Sequence, residues 1–204
     1  EIALRKHNLP HEFSAEAIAL AESYPKQVQA KDYQNRIDCR ALPLITIDGE
    51  TARDFDDAVY AEPQGKGWRL VVAIADVSFY VQPKDALDKG AIDRGNSVYF
   101  PRRVIPMLPE ALSNGLCSLN PDVERLCMIC DMQVDGLGVV KQYKFYPSVM
   151  RSKARMTYTQ VHEILQHPDA QLAQDYAWLV PHLTHLQSVY KLMLAQREKR
   201  GAIE

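Results

Sequence analysis

The sequence predicts an α+β domain, a mixed β-sheet core flanked by helices with a helical arm ahead of it. Three observations predict it. Apolar, β-prone runs separated by turn residues fill the middle of the chain. Two of the longest of these runs flank Asp135-Gly-Leu-Gly138, a strong hairpin turn. After Arg155 the apolar spacing changes to a helical period and keeps it to the C-terminal region. Residues 1–38 read as a connecting arm leading from an upstream domain, and 39–204 as the body.

Taken in order, Ser14 caps a helix predicted from there to about Ala30, with Ala17, Ile18, Leu20 and Ala21 as its apolar positions. On pattern alone, a peripheral helix of the same domain serves as well as an arm. Leu44–Ile47 and Asp57–Ala61 are short strands, and Gly65-Lys66-Gly67 turns the chain into a longer strand over Trp68–Val81. Lys84–Gly95 is helical, with Gly95 as its C-cap. Irregular proline-rich sequence over Pro101–Pro109 leads into a short helix ending near Asn114. Leu126–Val134 and Val139–Val149 are the hairpin strands, followed by helices over Thr157–Gln166, Ala170–Leu179 and Pro181–Arg200.

At 204 residues the chain can bury one good core. With 47% hydrophobic and 25% charged residues and a net charge of -2, it has the composition of a soluble globular protein and lacks a strongly basic balance. Its longest apolar run, Leu70–Ala75, is far too short to span a bilayer, so no membrane association is expected. Cys127-Met-Ile-Cys130 has zinc-ligand spacing, but the flanking residues read as a strand, where side chains three apart face opposite sides. Reduced, buried thiols and a cytoplasmic location are therefore expected. The absence of an initiator Met and the new segment opening at the C-terminal end suggest a piece of a longer protein.

The chemistry concentrates in Asp48, Glu50, Asp54, Asp56 and Asp57, five carboxylates within ten residues with Arg53 as the only cation among them. Such crowding is tolerated if the groups are solvated or if a bound cation neutralises them. Apolar strand sequence brackets the run, Gly49 lets the chain turn, and Asp54 and Asp56 project to one side of extended backbone. Hard carboxylate oxygens with no nearby His or Cys select Mg²⁺, or Mn²⁺, over zinc. A solvated acidic loop and a phosphatase-type nucleophilic aspartate are the other readings. An EF-hand is excluded, because no register supplies both Gly at position six and Glu at position twelve.

Leu42-Pro-Leu-Ile-Thr-Ile-Asp-Gly-Glu-Thr-Ala-Arg-Asp-Phe-Asp-Asp-Ala-Val59 resembles the signature of the RNase II/RNase R family of processive 3′-to-5′ exoribonucleases. The likeness continues through Val72–Ser78, Arg94–Pro101, Val104–Glu110 and Leu112–Pro121, and the Ser97-Val-Tyr-Phe-Pro101 segment follows the RNase R branch. It covers the chain from about Asp38 onward, as the N-terminal half of the catalytic RNB domain. Thr51 departs from the acidic residue often found there, between the motif aspartates.

The resemblance implies that Asp48, Asp54, Asp56 and Asp57 hold Mg²⁺ and position an attacking water, with Asp56 most needed for the chemical step. It implies that Tyr99 stacks on the 3′-terminal nucleotide of single-stranded RNA, and that nucleoside 5′-monophosphates are released. The family's catalytic arginine lies in the second half of the domain and has no counterpart here, so these residues alone are expected to be nearly inactive. A non-catalytic RNA-binding relative is the rival; it would show substitutions among the four aspartates, and all four are intact. The pairs His7/His11 and His182/His185 invite a metal reading, but no acidic or His partner flanks either. Arg102-Arg103 and the group Lys141, Lys144, Arg151, Lys153 and Arg155 could touch phosphates, a solvated face being the commoner explanation, and Asp76 is either a support for the site or a satisfied turn. The apolar face that a half-domain leaves uncovered could be buried by oligomerisation.

Overall fold

The computed structural model describes residues 6–101 and 103–202. Its strands are β1 (Ile37–Asp38), β2 (Thr46–Asp48), β3 (Asp57–Gln64), β4 (Gly67–Ala75), β5 (Val98–Phe100), β6 (Arg103–Ile105), β7 (Glu124–Val134), β8 (Val140–Arg151) and β9 (Arg155–Thr157). The helices are α1 (Ala15–Ser23), α2 (Ala86–Arg94), α3 (Tyr158–Gln166), α4 (Gln171–Asp175) and α5 (Val180–Lys199). Five strands form the central sheet in the order β1-β8-β7-β4-β3, antiparallel except for the short parallel β1–β8 pair. Two small pairs complete the set, β2 with β9 in parallel and β5 with β6 antiparallel. This is the mixed α+β architecture expected from the sequence.

Alternation along the strands gives the sheet two apolar faces. One packs Val71, Ala73 and Ile129 against Ala17 and Ala21 of α1, Leu87 and Ala91 of α2, and Leu112 and Leu116. On the other side α5 covers Ala61, Leu70 and Val134 through Val189, and Ile45, Met156, Ile164 and Leu183 form a neighbouring cluster. Beyond the reach of α5 this second face leaves Ile74, Met128, Tyr143 and Phe145 exposed. Cys127 is buried and Cys130 half-buried, as expected for strand residues three apart, and all four cysteines are free thiols.

α1 is capped by the Ser14 hydroxyl and its two buried alanines enter the same core as the sheet, so the N-terminal segment is packed onto the body. Tyr24 Oη donates to the Tyr80 carbonyl at 2.6 Å, and the Arg36 guanidinium meets Asp76 at 2.7 Å. Arg94 reaches back to the Glu12 carbonyl at 2.6 Å and lies over the Phe13 ring. Residues 1–5 of the expected arm lie outside the described residues.

Five local expectations are corrected. The helix expected to run from Ser14 to about Ala30 ends at Ser23, because Tyr24 turns extended ahead of Pro25. The proline-rich stretch is not irregular throughout: Val104 and Ile105 pair with Tyr99 and Val98, because β-branched and aromatic residues flank the turn at Pro101. The strand expected to run to Val81 ends at Ala75, where Asp76 takes its ion pair and a 3₁₀ turn over Val77–Phe79 begins. The short helix after Pro109 is a π-helical turn over Ala111–Leu116, broken at Gly115 (φ -100°, ψ -105°). The helix expected over Ala170–Leu179 keeps regular geometry only over Gln171–Asp175. Gly95 caps α2 at φ 75°, as expected.

The β7–β8 turn is wedged against α5. Gly138 sits at φ 83°, and a Cβ there would come 2.5 Å from the Leu192 carbonyl oxygen. Gln196 of α5 also donates to the Leu137 carbonyl at 2.6 Å. Gly138→Ala is expected to cost ~1–3 kcal/mol, since it combines a left-handed backbone with a backbone clash. Urea melts should show this, with Leu137→Ala in the same turn, whose side chain is 68% exposed, changing stability by less than about 0.5 kcal/mol.

Candidate active site

Asp48 ends β2 and Asp57 begins β3, so the acidic loop between them hangs from two strand ends. Its stem is closed from both sides. Ile45 and Val59 exchange backbone hydrogen bonds at 3.2 and 2.9 Å, and Asp48 is in register with Thr157 of β9. Within the loop, the Ala52 N–H donates to the Gly49 carbonyl at 3.2 Å, forming the turn that Gly49 was expected to allow.

The loop has no secondary structure of its own, and distant residues fix it. Phe55 is buried, which turns the loop inward between Asp54 and Asp56. Its N–H donates to Ser118 Oγ at 3.0 Å, and that hydroxyl donates to the Arg53 carbonyl at 2.8 Å. The Leu119 N–H donates to the Phe55 carbonyl at 2.8 Å, and the Ala75 N–H to the Asp56 carbonyl at 2.9 Å. On the other flank Arg155 donates to the carbonyls of Gly49 and Glu50 at 2.9 and 2.8 Å and lies over the Phe55 ring.

The four motif aspartates share one electrostatic neighbourhood. The pKa of Asp56 is raised, first by the protein packed around it and then by repulsion from Asp54, Asp57 and Asp48. Asp57 is raised by the same crowding and by Asp48. Glu50, the fifth carboxylate, is engaged elsewhere: the Thr159 hydroxyl donates to it, which lowers its pKa. Tyr99, carried by the β5–β6 hairpin, donates its hydroxyl to Asp54 Oδ2 at 3.3 Å, while 66% of the residue stays open to solvent. Beneath the loop, burial pushes the Cys117 thiol up to about 12, leaving it an inert packing group.

Among the described residues no three His, Cys, Asp or Glu side chains are gathered closely enough to grip one ion. The aspartates thus meet through their charges. The other candidates stand apart from the site. Asp76 is bound by Arg36 and by the Ser78 hydroxyl at 2.7 Å, which makes it part of the arm's attachment. His182 stacks on Tyr60 and His185 on Trp68, at 5.6 and 5.5 Å between ring centroids. His7 and His11 are exposed, and Arg102 lies outside the described residues.

Sequence reasoning missed Ser118, Leu119 and Thr159, and it read Arg155 only as one of a loose basic group, whereas its guanidinium holds the acidic loop's backbone. Ser118 lies within a segment already notable, yet it is 63 residues from its partner Phe55, and no local signal announces that bond.

Residues 36–204 match the RNB domain family. Ribonuclease R of Vibrio cholerae serotype O1 is 58% identical over 205 residues, covering 100% of this chain and 25% of that protein. Ribonuclease R of Escherichia coli K12 is 55% identical over 208 residues, covering 100% and 25%. The chain thus spans about a quarter of the length of these curated relatives. Among solved structures, Mycoplasma genitalium RNase R in complex with double-stranded RNA matches with a TM-score of 0.89 at 32% identity, covering 98% of this chain and 35% of that one.

Proposed function

The chain belongs to the RNB domain family, and from that premise we propose that it carries the metal-binding half of a processive, Mg²⁺-dependent 3′-to-5′ exoribonuclease that hydrolyses RNA to nucleoside 5′-monophosphates. The observation that carries this reading is four intact aspartates on two strand ends and the loop between them, near enough that Asp56 feels the charges of the other three. Ribonuclease R relatives across the whole chain, and a structural neighbour bound to RNA, support RNA as the substrate class.

The donors fit Mg²⁺ or Mn²⁺: all are carboxylate oxygens, and burial followed by mutual repulsion raises the pKa of Asp56 and Asp57, a charge penalty that a cation would relieve. Asp48, Asp54, Asp56 and Asp57 would hold it. When bound, it would lower the pKa of an attacking water and offset charge on the scissile phosphate. Tyr99 presents an open ring for the terminal base or ribose and anchors its hydroxyl on Asp54, which ties the stacking surface to the carboxylates. No residue in this reading recognises a particular base, which suits a degrader that accepts any sequence.

Residues 1–38 would lead from an upstream RNA-binding domain. Free thiols, three of them buried, fit a cytoplasmic protein, and among the described residues no helix is long and apolar enough to cross a membrane.

The test is full-length protein with 5′-labelled single-stranded RNA on a denaturing gel, with Mg²⁺ and after its chelation. Stepwise shortening from the 3′ end that needs Mg²⁺ is expected, with little or none from residues 1–204 alone. Tyr99→Ala should raise KM for short RNA roughly 5- to 150-fold, the equivalent of a lost stacking contact. Intact RNA bound by a folded full-length protein would favour a non-catalytic RNA-binding module of the same fold.

A further inference from the structure

Like charges on a loop without regular structure, as at Asp54 and Asp56 between the strand-borne Asp48 and Asp57, relax by moving apart unless the backbone that carries them is held. The backbone on both sides of Asp54 converges on a single side chain. Ser118 is fully buried, its hydroxyl accepts the Phe55 N–H at 3.0 Å and donates to the Arg53 carbonyl at 2.8 Å, and so brackets Asp54 from behind. The next residue continues the clamp, since the Leu119 N–H bonds the Phe55 carbonyl at 2.8 Å.

Ser118 is itself held. Its carbonyl accepts Arg125 Nε at 2.8 Å, and Arg125 is buried at the start of β7 in the central sheet. A continuous path of hydrogen bonds therefore runs from the sheet through Arg125 and Ser118 to the acidic loop. A hydroxyl suits this position because it donates and accepts at one small atom; an alanine there would leave the buried Phe55 N–H and the part-buried Arg53 carbonyl without their partner.

We propose that Ser118 is a positioning residue of the metal site: by bracing the backbone at Arg53 and Phe55 it sets where the carboxylates of Asp54 and Asp56 point. This rests on the Mg²⁺ reading above. It also gives a role to the segment Leu112–Pro121, whose irregular turn delivers the hydroxyl to the loop.

Ser148 supplies the control. It is equally buried and its hydroxyl donates to the Ile37 carbonyl at 2.7 Å, joining β8 to β1 without touching the acidic loop. The experiment measures Mn²⁺ binding by the 204-residue chain, from the electron paramagnetic resonance signal of the free ion, at a temperature where thermal melts show each protein folded. Wild type, Ser118→Ala, Ser118→Cys, Ser148→Ala and Asp56→Asn are compared. Ser118→Cys keeps the branching of the side chain with a slightly larger atom that weakens both bonds, and serves where the alanine variant does not fold.

The expected result is a loss of Mn²⁺ affinity of about 10- to 100-fold in Ser118→Ala, a smaller loss in Ser118→Cys, and Ser148→Ala within about threefold of wild type. Wild-type affinity in the Ser118 variants, with binding lost in Asp56→Asn, would overturn the role of Ser118 and leave the metal reading standing. Equal losses in Ser118→Ala and Ser148→Ala would reduce Ser118 to a general stabilising group. No Mn²⁺ binding by wild type, or undiminished binding by Asp56→Asn, would bring down the metal reading and this inference with it.

Discussion

Asp56→Asn is expected to slow RNA shortening by the full-length protein about 10³-fold or more at saturating Mg²⁺, because losing several kcal/mol of metal-centred stabilisation costs a factor of ten for each ~1.4 kcal/mol. Asn keeps the shape of the side chain and removes its charge, so RNA affinity through Tyr99 should change little. The effect belongs in kcat. Gel assays at several RNA concentrations separate the two, and equal losses in kcat and in RNA affinity would argue for a disordered loop instead.

The same substitution should act on stability in the opposite direction. In the metal-free protein the pKa of Asp56 lies above its ordinary value, so the folded state holds this proton more tightly than the unfolded chain does. The stability it contributes is complete below the ordinary carboxylate range and is lost as pH rises through the raised value. At neutral pH the ionised Asp56 therefore opposes folding. Metal-free Asp56→Asn should melt above metal-free wild type at pH 7, with the difference closing as the pH falls below about 4. A variant that is more stable and inactive is what an active-site charge predicts.

The second large effect lies away from the chemistry, at Arg36 and Asp76. Their side chains are only 11% and 9% exposed, with 2.7 Å between Nη2 and Oδ2. Removing one partner leaves the other charged and buried, at a cost of ~3–5 kcal/mol. For a chain of this length that corresponds to a fall in Tm of about 6–20 °C. Arg36→Met should show it in a calorimetric or circular dichroism melt. Arg36→Met combined with Asp76→Leu should recover most of the loss, because apolar residues of similar volume replace a buried ion pair at little cost. An exposed pair makes the contrast: Arg151–Asp122, 3.5 Å apart with side chains 48% and 75% exposed, should tolerate Arg151→Ala with less than about 1 kcal/mol lost.

How much of this could be read from the sequence depended on the distance over which each feature is determined. The β7–β8 hairpin was legible because Asp135-Gly-Leu-Gly138 fixes the turn locally, and Asp135 Oδ1 accepts the N–H groups of Leu137 and Val139, both at 2.9 Å. Helix α3 was legible from Thr157, whose hydroxyl and the Gln160 side chain form a reciprocal cap. The aspartate cluster stood out because its residues are adjacent in sequence. Tyr99 could be named only through family likeness; its contact with Asp54 joins residues 45 apart and leaves no periodic trace. Ser118 and Arg155 belong to the same class, polar groups whose partners are backbone atoms of a distant loop. Where the reading of elements failed, tertiary contacts had overridden local pattern. Asp76 ends an apolar run that composition alone would continue, because its carboxylate is claimed by Arg36. The β5–β6 pair forms among prolines because Pro101 falls at the turn between the strands, where its missing N–H costs nothing.

The pairing of β2 with β9 sets a timetable. Thr46 lies beside Arg155, so the strand leading into the acidic loop gains its neighbour only from sequence made about a hundred residues later. At roughly 5–20 residues per second on the ribosome, that leaves an interval of about 5–20 s during which the loop has emerged but the β9 side of its stem is missing. Ser118, which supplies the brace, is made before Arg155, which supplies the clamp, so the loop's distant partners become available in two steps. A nascent chain halted between those two points would display its aspartates without yet holding them in place.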